Sequence, residues 1–331
     1  MLRIIQIGVG PLGQKLVRFA LERPGIEIVA AVDLDPKKNG RDLGELCGLG
    51  HLGITVNRDL KSALKMRRAD VALLTTVSSL KALEKHIGEL AQAKLNIIST
   101  CEELVFPWRT QPRIAERIDR LCRRFKVACV GTGVNPGFLM DYLPCVLSSL
   151  CHKISRVKVT RIQDAAKRRV SFQEKIGAGL SRAQFKEKLN QGKIGHVGLV
   201  ESIYMIAHIM HWNIDRVTEN LKPVIAKEPL TSGYIKIEPG AASGIEQIAR
   251  GYVGRKEVVL LDFRAALDEK ESFDCVEING SPAIKSIIPG GVDGDLATCA
   301  IIINTIRSIM NVEPGLKTML DLPAPAYFHK G

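Results

Sequence analysis

Apolar and polar positions follow two different patterns along this chain of 331 residues, one before and one after about residue 135. In the first 135 residues, short apolar runs suited to buried parallel strands alternate with stretches whose apolar positions recur at helical spacing. The apolar runs are Leu2–Ile7, Ile26–Asp33, Val71–Val77, Leu95–Thr100 and Val127–Gly131, and the amphipathic stretches are Gln14–Glu22, Leu80–Gln92 and Pro112–Phe125. This alternation predicts an α/β protein with a doubly wound parallel sheet in residues 1–135.

The pattern changes after Asn135-Pro136-Gly137. Alternating runs at 155–160 and 258–267 predict strands, and Asn279-Gly280 predicts a hairpin turn. Helical patterns cover Ala183–Asn190, His196–Met210 and Leu296–Met310, the last with Asp293 and Asp295 as candidate caps. Residues 136–331 are therefore predicted to form an α+β domain for substrate binding and dimerisation. Its open mixed sheet would leave one face for a homodimer, and a return of the last helix to the first domain stays open.

The first apolar run leads directly into Gly8-Val9-Gly10-Pro11-Leu12-Gly13, and Asp33 closes the next run. In a dinucleotide-binding turn, the first glycine permits the tight bend, the second lets a pyrophosphate approach, and the third lets the helix pack on the strand. Pro11 and Leu12 would be the first residues of the following helix, whose N-terminus would face the phosphates. The sequence thus predicts a Rossmann domain that binds NAD or NADP through this loop and Asp33.

Two further groups are candidates for cofactor contacts. Asp33 is expected to bind the adenine ribose hydroxyls and so to favour NAD, but Lys37, Lys38 and Arg41 follow it and would offset the repulsion of a 2′-phosphate, so use of both cofactors is expected. Thr75 and Thr76 lie at the carboxyl end of the predicted strand Val71–Val77 and would line the nicotinamide ribose. A simple helix cap by the adjacent Ser78 or Ser79 is an equally good interpretation of that segment.

Glu102 and Glu103 are the candidate catalytic residues. They follow the predicted strand Leu95–Thr100, and ligands of open α/β sheets bind at the carboxyl ends of the strands. A carboxylate there can hold an ammonium or iminium group and, if burial raises its pKa, can also move a proton. At least one of the two is expected to be a solvated loop acid, and the sequence does not say which.

Composition narrows the functional class. The net charge of +12 comes from 47 basic and 35 acidic residues, but the basic clusters are short and lack interleaved aromatic side chains, so no nucleic-acid partner is expected. No apolar stretch is long enough for a membrane span, and a cytoplasmic location is expected. The eight cysteines contain no C-x-x-C pair, and His208 and His211 have no third ligand nearby, so no metal site is predicted.

Several motifs give the chain a resemblance to the 2,4-diaminopentanoate dehydrogenases and related native amine dehydrogenases, whose nucleotide domain is similar to that of dihydrodipicolinate reductase. The motifs are Gly8–Gly13, Thr100–Leu104, Gly131–Phe138 with Asp141, Phe172–Gly179, His196–Leu199 with Glu201-Ser202, Gly290-Gly291, Gly294–Thr298 and Pro314–Pro323. The resemblance implies reversible NAD(P)-dependent oxidative deamination, in which an amine becomes a ketone and ammonia. The leading substrate is 2,4-diaminopentanoate, which would give 2-amino-4-oxopentanoate, and a simpler amine is second.

The resemblance also implies roles for individual residues. A glutamate at the strand end, Glu102 or Glu103, would engage the substrate amine. Phe138, Tyr142 and His196 would line the substrate pocket together with Asn135, which is also a candidate cofactor contact. Other interpretations are a turn for Asn135, core packing for the two aromatic residues, and an ordinary loop histidine.

Three alternatives stay open or are disfavoured. An imine reductase like dihydrodipicolinate reductase stays open, although its histidine pair and Asp-Ala-Pro-Ser-Gly-Thr pattern are missing, and so does a non-catalytic NAD(P)-binding sensor. Sugar dehydrogenases of the inositol type carry Glu-Lys-Pro where this chain has Glu102-Glu103-Leu104, and an anion in place of that cation suits an amine substrate.

Arg161 or Arg168 could bind a carboxylate of the substrate. For both arginines a surface charge is the favoured interpretation.

Overall fold

A computed structural model describes residues 1–65 and 67–328, and it divides the chain into two units. One unit comprises Met1–Phe138 and Asp293–Gly331, and the other comprises Leu139–Val292. The predicted division lay at 135/136, so the predicted range of the second domain includes a C-terminal segment that the structure groups with the first unit.

Strands and helices alternate along most of the described chain. The strands are β1 (Leu2–Ile7), β2 (Ile26–Val32), β3 (Val56–Asn57), β4 (Val71–Leu74), β5 (Asn96–Ser99), β6 (Ala128–Gly131), β7 (Lys153–Asp164), β8 (Arg216–Ile225), β9 (Leu230–Thr231), β10 (Lys236–Ile237), β11 (Ala242–Val253), β12 (Lys256–Ala266), β13 (Phe273–Ser281), β14 (Ile284–Pro289) and β15 (Gly315–Lys317). The α-helices are α1 (Pro11–Leu21), α2 (Leu43–Leu46), α3 (Leu60–Ala63), α4 (Leu80–Gln92), α5 (Pro107–Thr110), α6 (Pro112–Phe125), α7 (Tyr142–Ser148), α8 (Val170–Lys175), α9 (Arg182–Asn190), α10 (Leu199–Ile209) and α11 (Gly294–Ile309). Short 3-10 helices cover Glu102–Leu104 and Met319–Asp321.

The first unit contains a parallel sheet in the strand order β15-β6-β5-β4-β1-β2-β3. The chain reverses its winding direction between β1 and β4, which is the switch point where doubly wound sheets bind dinucleotides. The central strands are buried nearly throughout, as their continuous apolar runs require. The predicted Rossmann domain is confirmed.

The C-terminal segment completes this first unit. Strand β15 pairs in parallel with β6, and helix α11 packs against α1 and β5. Asp293 caps α11 by accepting hydrogen bonds from the backbone N–H groups of Asp295 and Leu296 at 3.0 and 2.7 Å. The predicted cap and the suggested return of the last helix therefore both have a structural counterpart.

The second unit is built on a six-stranded mixed sheet in the order β14-β13-β7-β12-β11-β8, in which only β7 and β12 run parallel among the described pairs. One face is covered by α7 and α10: a Cβ on Gly251 would lie 2.7 Å from Ile203 of α10. The predicted α+β architecture is confirmed. Among the helices of the described residues, none has the length and apolar content needed to cross a bilayer.

The hairpin predicted around Asn279-Gly280 is present as the antiparallel pair β13 and β14, but its turn lies a few residues later. These two residues lie within β13, where its register with β7 shifts, and the chain turns between Ser281 and Ile284 instead. A Cβ on Gly280 would lie 2.5 Å from the carbonyl oxygen of Lys153, so the glycine allows a close strand contact and an irregularity, not a turn. The helices Leu80–Gln92 and Pro112–Phe125 match their predicted bounds.

Candidate active site

The glycine loop after β1 has three glycines with three different surroundings. Gly8 has a φ of +89°, and a Cβ there would lie 2.5 Å from the carbonyl oxygen of Thr75. Gly13 in α1 lies against the carbonyl oxygen of Gly8, so any side chain at position 13 would overlap it. For a Cβ on Gly10, the described residues place no heavy atom within 4 Å apart from the two chain neighbours. Packing thus explains Gly8 and Gly13, whereas Gly10 borders open space of the kind that a pyrophosphate would fill.

Helix α1 starts at Pro11 with a free end. Gly10 is its N-cap, and among the described residues no side chain caps it. Pro11 is exposed and has no N–H, while Leu12 is partly buried in the first turn. The N-terminal N–H groups and the positive end of the helix dipole are what an anionic phosphate binds. The loop therefore fits a dinucleotide as the sequence predicts.

Thr75 supports this loop from below. Its hydroxyl donates to the carbonyl oxygen of Gly8 at 3.0 Å, and the side-chain amide of Gln6 donates to the same oxygen at 2.8 Å and to the Thr75 hydroxyl oxygen at 2.8 Å. Thr76 is exposed, with its methyl group 3.0 Å from the position of a Cβ on Gly8. Gln6, only 1% exposed, is a loop-supporting residue that was not among the predicted site residues. The available signal was a polar residue between Ile5 and Ile7, just before the glycine loop.

Asp33 fastens the loop to the end of β2. One carboxylate oxygen accepts from the backbone N–H of Val9 at 2.7 Å and from the ammonium of Lys38 at 2.9 Å, and the other accepts from the N–H of Asp35 at 2.9 Å. Burial raises the pKa of Asp33, but the hydrogen bonds from Lys38, Asp35 and Val9 outweigh it and hold the pKa below its ordinary value. The basic residue beside Asp33 is thus Lys38, whereas the predicted cofactor contact Lys37 is exposed.

The two adjacent glutamates have different surroundings. One carboxylate oxygen of Glu103 accepts from the backbone N–H of Leu80 and from the side-chain amide of Gln111, both at 2.7 Å. Glu103 therefore supplies the cap of α4, since the nominal N-cap Ser79 makes no capping hydrogen bond with its side chain among the described residues. Glu102, partly buried, begins the 3-10 helix directly after β5. The structure therefore gives Glu103 a structural task at the N-terminus of α4.

Asn135 and Phe138 lie in the tight turn that follows β6. Gly137 has a φ of +120°, and a Cβ there would lie 2.5 Å from the backbone nitrogen of Gly133. The backbone N–H of Val134 donates to the hydroxyl of Thr298 in α11 at 3.2 Å. Both candidates are partly buried, in a turn whose shape is fixed by the glycine and by the C-terminal helix.

In the second unit, His196 lies over one face of the mixed sheet. Its ring stacks on Phe263 of β12 with centroids 4.6 Å apart. Gln247 of β11 holds the backbone of His196 by two hydrogen bonds, accepting from its N–H at 2.7 Å and donating to its carbonyl at 2.8 Å, and Gln247 also donates to Glu219 at 2.8 Å. The histidine is therefore positioned by the sheet, not left on a mobile loop.

Tyr142 is buried at the start of α7. Its backbone N–H donates to Asp141 at 2.7 Å, and the other oxygen of Asp141 accepts from the hydroxyl of Ser202 at 2.8 Å. Burial raises the pKa of the Tyr142 phenol, with a smaller contribution from Cys145. Asp141 and Ser202, fully buried, thus tie α7 to α10, which accounts for two residues of the motifs that carry the family resemblance.

Arg161 and Arg168 are not surface charges, so that interpretation is wrong. Arg161 is 1% exposed: one guanidinium nitrogen lies 2.7 Å from a carboxylate oxygen of Asp274, and another donates to the carbonyl of Val292 at 3.0 Å. Arg168 is also buried, donates to Gln163 at 3.1 Å and stacks over the ring of Phe172. Arg168 lies in the basic run Lys167-Arg168-Arg169, which is typical of a solvated surface, and the partner of Arg161 comes from a different strand, so neither burial could be predicted from the sequence.

Fold and site together define the class: a Rossmann-type dinucleotide-binding oxidoreductase with a separate mixed-sheet unit. Residues 138–330 match the family model of the 2,4-diaminopentanoate dehydrogenase C-terminal domain, and residues 2–101 match the dihydrodipicolinate reductase N-terminus. The C-terminal match covers more than half of the chain. The chain therefore belongs to the 2,4-diaminopentanoate dehydrogenase family, a family of NAD(P)-binding dehydrogenases.

Three similar proteins extend the comparison over the whole chain. A 2,4-diaminopentanoate dehydrogenase of Acetoanaerobium sticklandii is 29% identical over 98% of this chain and 94% of its own length. An amine dehydrogenase of Streptomyces virginiae is 21% identical over 98% and 96%. The solved structure of an amine dehydrogenase from Mycobacterium smegmatis superposes with a TM-score of 0.88 at 23% identity, covering 99% of this chain and 97% of that one, and supports the fold.

The contrast between Gly10 and Gly13 makes a prediction. Gly10→Ala should leave the stability unchanged and weaken NADH binding about tenfold or more, because the added methyl group occupies space that only a ligand needs. Gly13→Ala should instead lower the free energy of unfolding by about 1–3 kcal/mol, because its methyl group meets the Gly8 carbonyl. Thermal unfolding and fluorescence titration with NADH measure both effects. Equal stability losses for the two variants would contradict the assignment of Gly10 to the ligand.

Proposed function

We propose that this protein is an NAD(P)-dependent dehydrogenase that oxidatively deaminates an amine or diamino acid, with 2,4-diaminopentanoate as the leading substrate and a simpler amine as the second. The observation that carries the proposal is the pair of carboxylates at the end of β5, in the sheet whose switch point holds the glycine loop. Sugar dehydrogenases of the inositol type carry Glu-Lys-Pro where this chain carries Glu102-Glu103-Leu104, so a second carboxylate takes the place of the lysine. The names of its relatives support the same chemistry.

In the proposed reaction the neutral amine loses a hydride from its nitrogen-bearing carbon and becomes an iminium ion. The bound dinucleotide would supply the hydride acceptor, nicotinamide C4. Water then adds to the iminium carbon, and loss of ammonia leaves the ketone. The step creates positive charge on the substrate nitrogen, so a fixed carboxylate nearby stabilises its product more than its neutral reactant.

We assign this carboxylate to Glu102. The oxygen of Glu103 that faces α4 already accepts two hydrogen bonds, from Leu80 and Gln111, and moving it would uncap the helix. Glu102 precedes it at the strand end, where polar residues of doubly wound sheets meet ligands. Its proposed tasks begin with taking the proton from the substrate ammonium and passing it to solvent, so that the carboxylate is ionised again before the hydride leaves. It then holds the iminium by charge and accepts a proton from the attacking water.

The remaining site residues follow from their surroundings. Gly8, Gly10, Leu12 and Gly13 would bind the pyrophosphate with Pro11 at the helix start, and Asp33 would bind the adenine ribose. Thr76 and Asn135 are proposed to reach the nicotinamide half, while Thr75 acts through the loop it supports. We keep Phe138, Tyr142 and His196 as substrate-lining residues, with His196 oriented by Phe263 and Gln247.

The glutamate assignment has a matched pair of variants. Glu102→Gln should lower kcat about 100-fold or more while NADH binding stays within about twofold, because amide and carboxylate have the same shape but only the carboxylate stabilises an iminium or takes a proton. Glu103→Gln should retain most activity, since its amide oxygen can still cap α4. Glu103→Ala should lower the free energy of unfolding by about 1 kcal/mol through loss of that cap. A collapse of turnover in Glu103→Gln but not in Glu102→Gln would reverse the assignment.

The substrate class is tested with purified protein and oxidised NAD or NADP. We expect absorbance at the reduced-cofactor wavelength to rise with 2,4-diaminopentanoate, and ammonia to appear in equal amount. Hydroxy acids and sugars serve as controls and should be inert. Oxidation of simple amines but not of 2,4-diaminopentanoate would support oxidative deamination with a different substrate. No cofactor reduction with any amine, despite cofactor binding, would contradict the proposal and favour a sensor or an imine reductase.

We also propose that the chain is a homodimer formed through the second unit. The sheet face opposite α7 and α10 carries the half-exposed apolar side chain of Ile287. Charged side chains lie on the same face, and among them the ammonium of Lys158 pairs with the carboxylate of Glu277 at 2.8 Å. Such neutralised charges around an apolar residue suit a self-complementary contact. Location in the cytoplasm stays a prediction.

Light scattering tests the dimer. The native protein should have twice the chain mass of 36.3 kDa, and Ile287→Asp should shift it towards monomer because each contact would then bury an unpaired carboxylate. An exposed apolar residue of the first unit, Leu34, gives the control variant Leu34→Asp, which should stay dimeric. A native monomer would refute the proposal.

A further inference from the structure

We propose that Lys38 is the residue that allows this site to accept the 2′-phosphate of NADP as well as the free ribose of NAD. The inference rests on the dinucleotide part of the proposed function and is independent of the amine substrate. It assigns to Lys38 the acceptance of the 2′-phosphate, for which the sequence offered Lys37, Lys38 and Arg41 as candidates.

The first step is the state of Asp33. Its two oxygens accept backbone N–H groups from Val9 and Asp35, so the carboxylate is fixed at the end of β2 beside the glycine loop. Its side chain is only 11% exposed. A carboxylate held there accepts a ribose 2′-hydroxyl and repels a 2′-phosphate, which carries between one and two negative charges at neutral pH. Without a compensating cation, the site would exclude NADP.

A local turn at Asp35 places Lys38, and not Lys37, beside Asp33. The backbone N–H of Lys38 donates to the carbonyl of Asp35 at 3.0 Å, and that of Lys37 donates to the Asp35 carboxylate at 2.9 Å. This turn brings the ammonium of Lys38 back to within 2.9 Å of Asp33 and 3.8 Å of Asp35. Lys37 is exposed. Lys38 thus lies at the carboxylate that discriminates between the two cofactors.

The third step is that Lys38 can leave Asp33 at small cost. Its side chain is 22% exposed. A lysine stem has several rotatable bonds, so the ammonium can turn from the carboxylate to a phosphate bound beside it. Asp33 keeps two backbone donors when this happens, so its charge is not left unsolvated. With a free ribose, Lys38 stays on Asp33 and neutralises it. The same residue therefore suits both ligands, which an unpaired aspartate would not.

Fluorescence titration with NADPH and NADH, in the absence of any amine, tests the inference. Lys38→Met should weaken NADPH binding about tenfold or more and change NADH binding by less than about threefold, because a charge-assisted contact is lost only with the phosphate. Lys38→Arg should restore NADPH binding. The matched control Lys37→Met should leave both dissociation constants within about twofold, and thermal unfolding should show all three variants folded.

The inference fails if Lys38→Met weakens NADH and NADPH equally, which would mean that Lys38 only supports the loop through Asp33. It also fails if the native protein binds NADH alone, or if Lys37→Met shows the NADPH effect. Binding of neither dinucleotide would refute the cofactor part of the proposed function as well. Normal binding with no oxidation of amines would refute only the amine assignment and leave the role of Lys38 standing.

Discussion

The first unit depends on one backbone atom, the carbonyl oxygen of Gly8. It accepts hydrogen bonds from Gln6 and Thr75 and lies directly against Gly13 of α1. These contacts bring together β1, the end of β4 and the first turn of α1. Because the helix end is held this close to the sheet, its unpaired N–H groups are aimed at a fixed point, and an anion can bind there without reorganising the loop.

Asp33 adds a second constraint from β2. By holding the N–H of Val9 it fixes the loop between two glycines, and by pairing with Lys38 it sets the charge at the ribose end. The loop shape and the cofactor preference therefore share one carboxylate. Removal of the Asp33 side chain would disturb both the loop shape and the cofactor preference. Replacement of Lys38 would change only the charge beside the ribose, because the hydrogen bonds from the backbone of Val9 and Asp35 to Asp33 would remain.

Much of this could be predicted from sequence because glycine, proline and aspartate act locally. The three glycines, Pro11 and Asp33 have surroundings that follow from their spacing, and the buried parallel strands follow from apolar runs. Which of two neighbours is used could not be predicted: Glu103 caps α4 because Leu80 and Gln111 come to it from elsewhere in the fold, and Lys38 meets Asp33 because of a turn set by Asp35. The burial of Arg161 depended on Asp274, 113 residues away. Asn279-Gly280 lies in a strand because it pairs with β7, and Gly280 is needed there for a close approach to the Lys153 carbonyl.

The central claim is that the chain moves a hydride from an amine-bearing carbon to the dinucleotide. It is tested most directly by supplying 2,4-diaminopentanoate deuterated at the carbon that bears the oxidised amine and analysing the reduced cofactor by mass spectrometry and NMR. We expect one deuterium at nicotinamide C4 on one face, with release of one ammonia per transfer. Bound cofactor that gains no deuterium from this or any simple deuterated amine would contradict it.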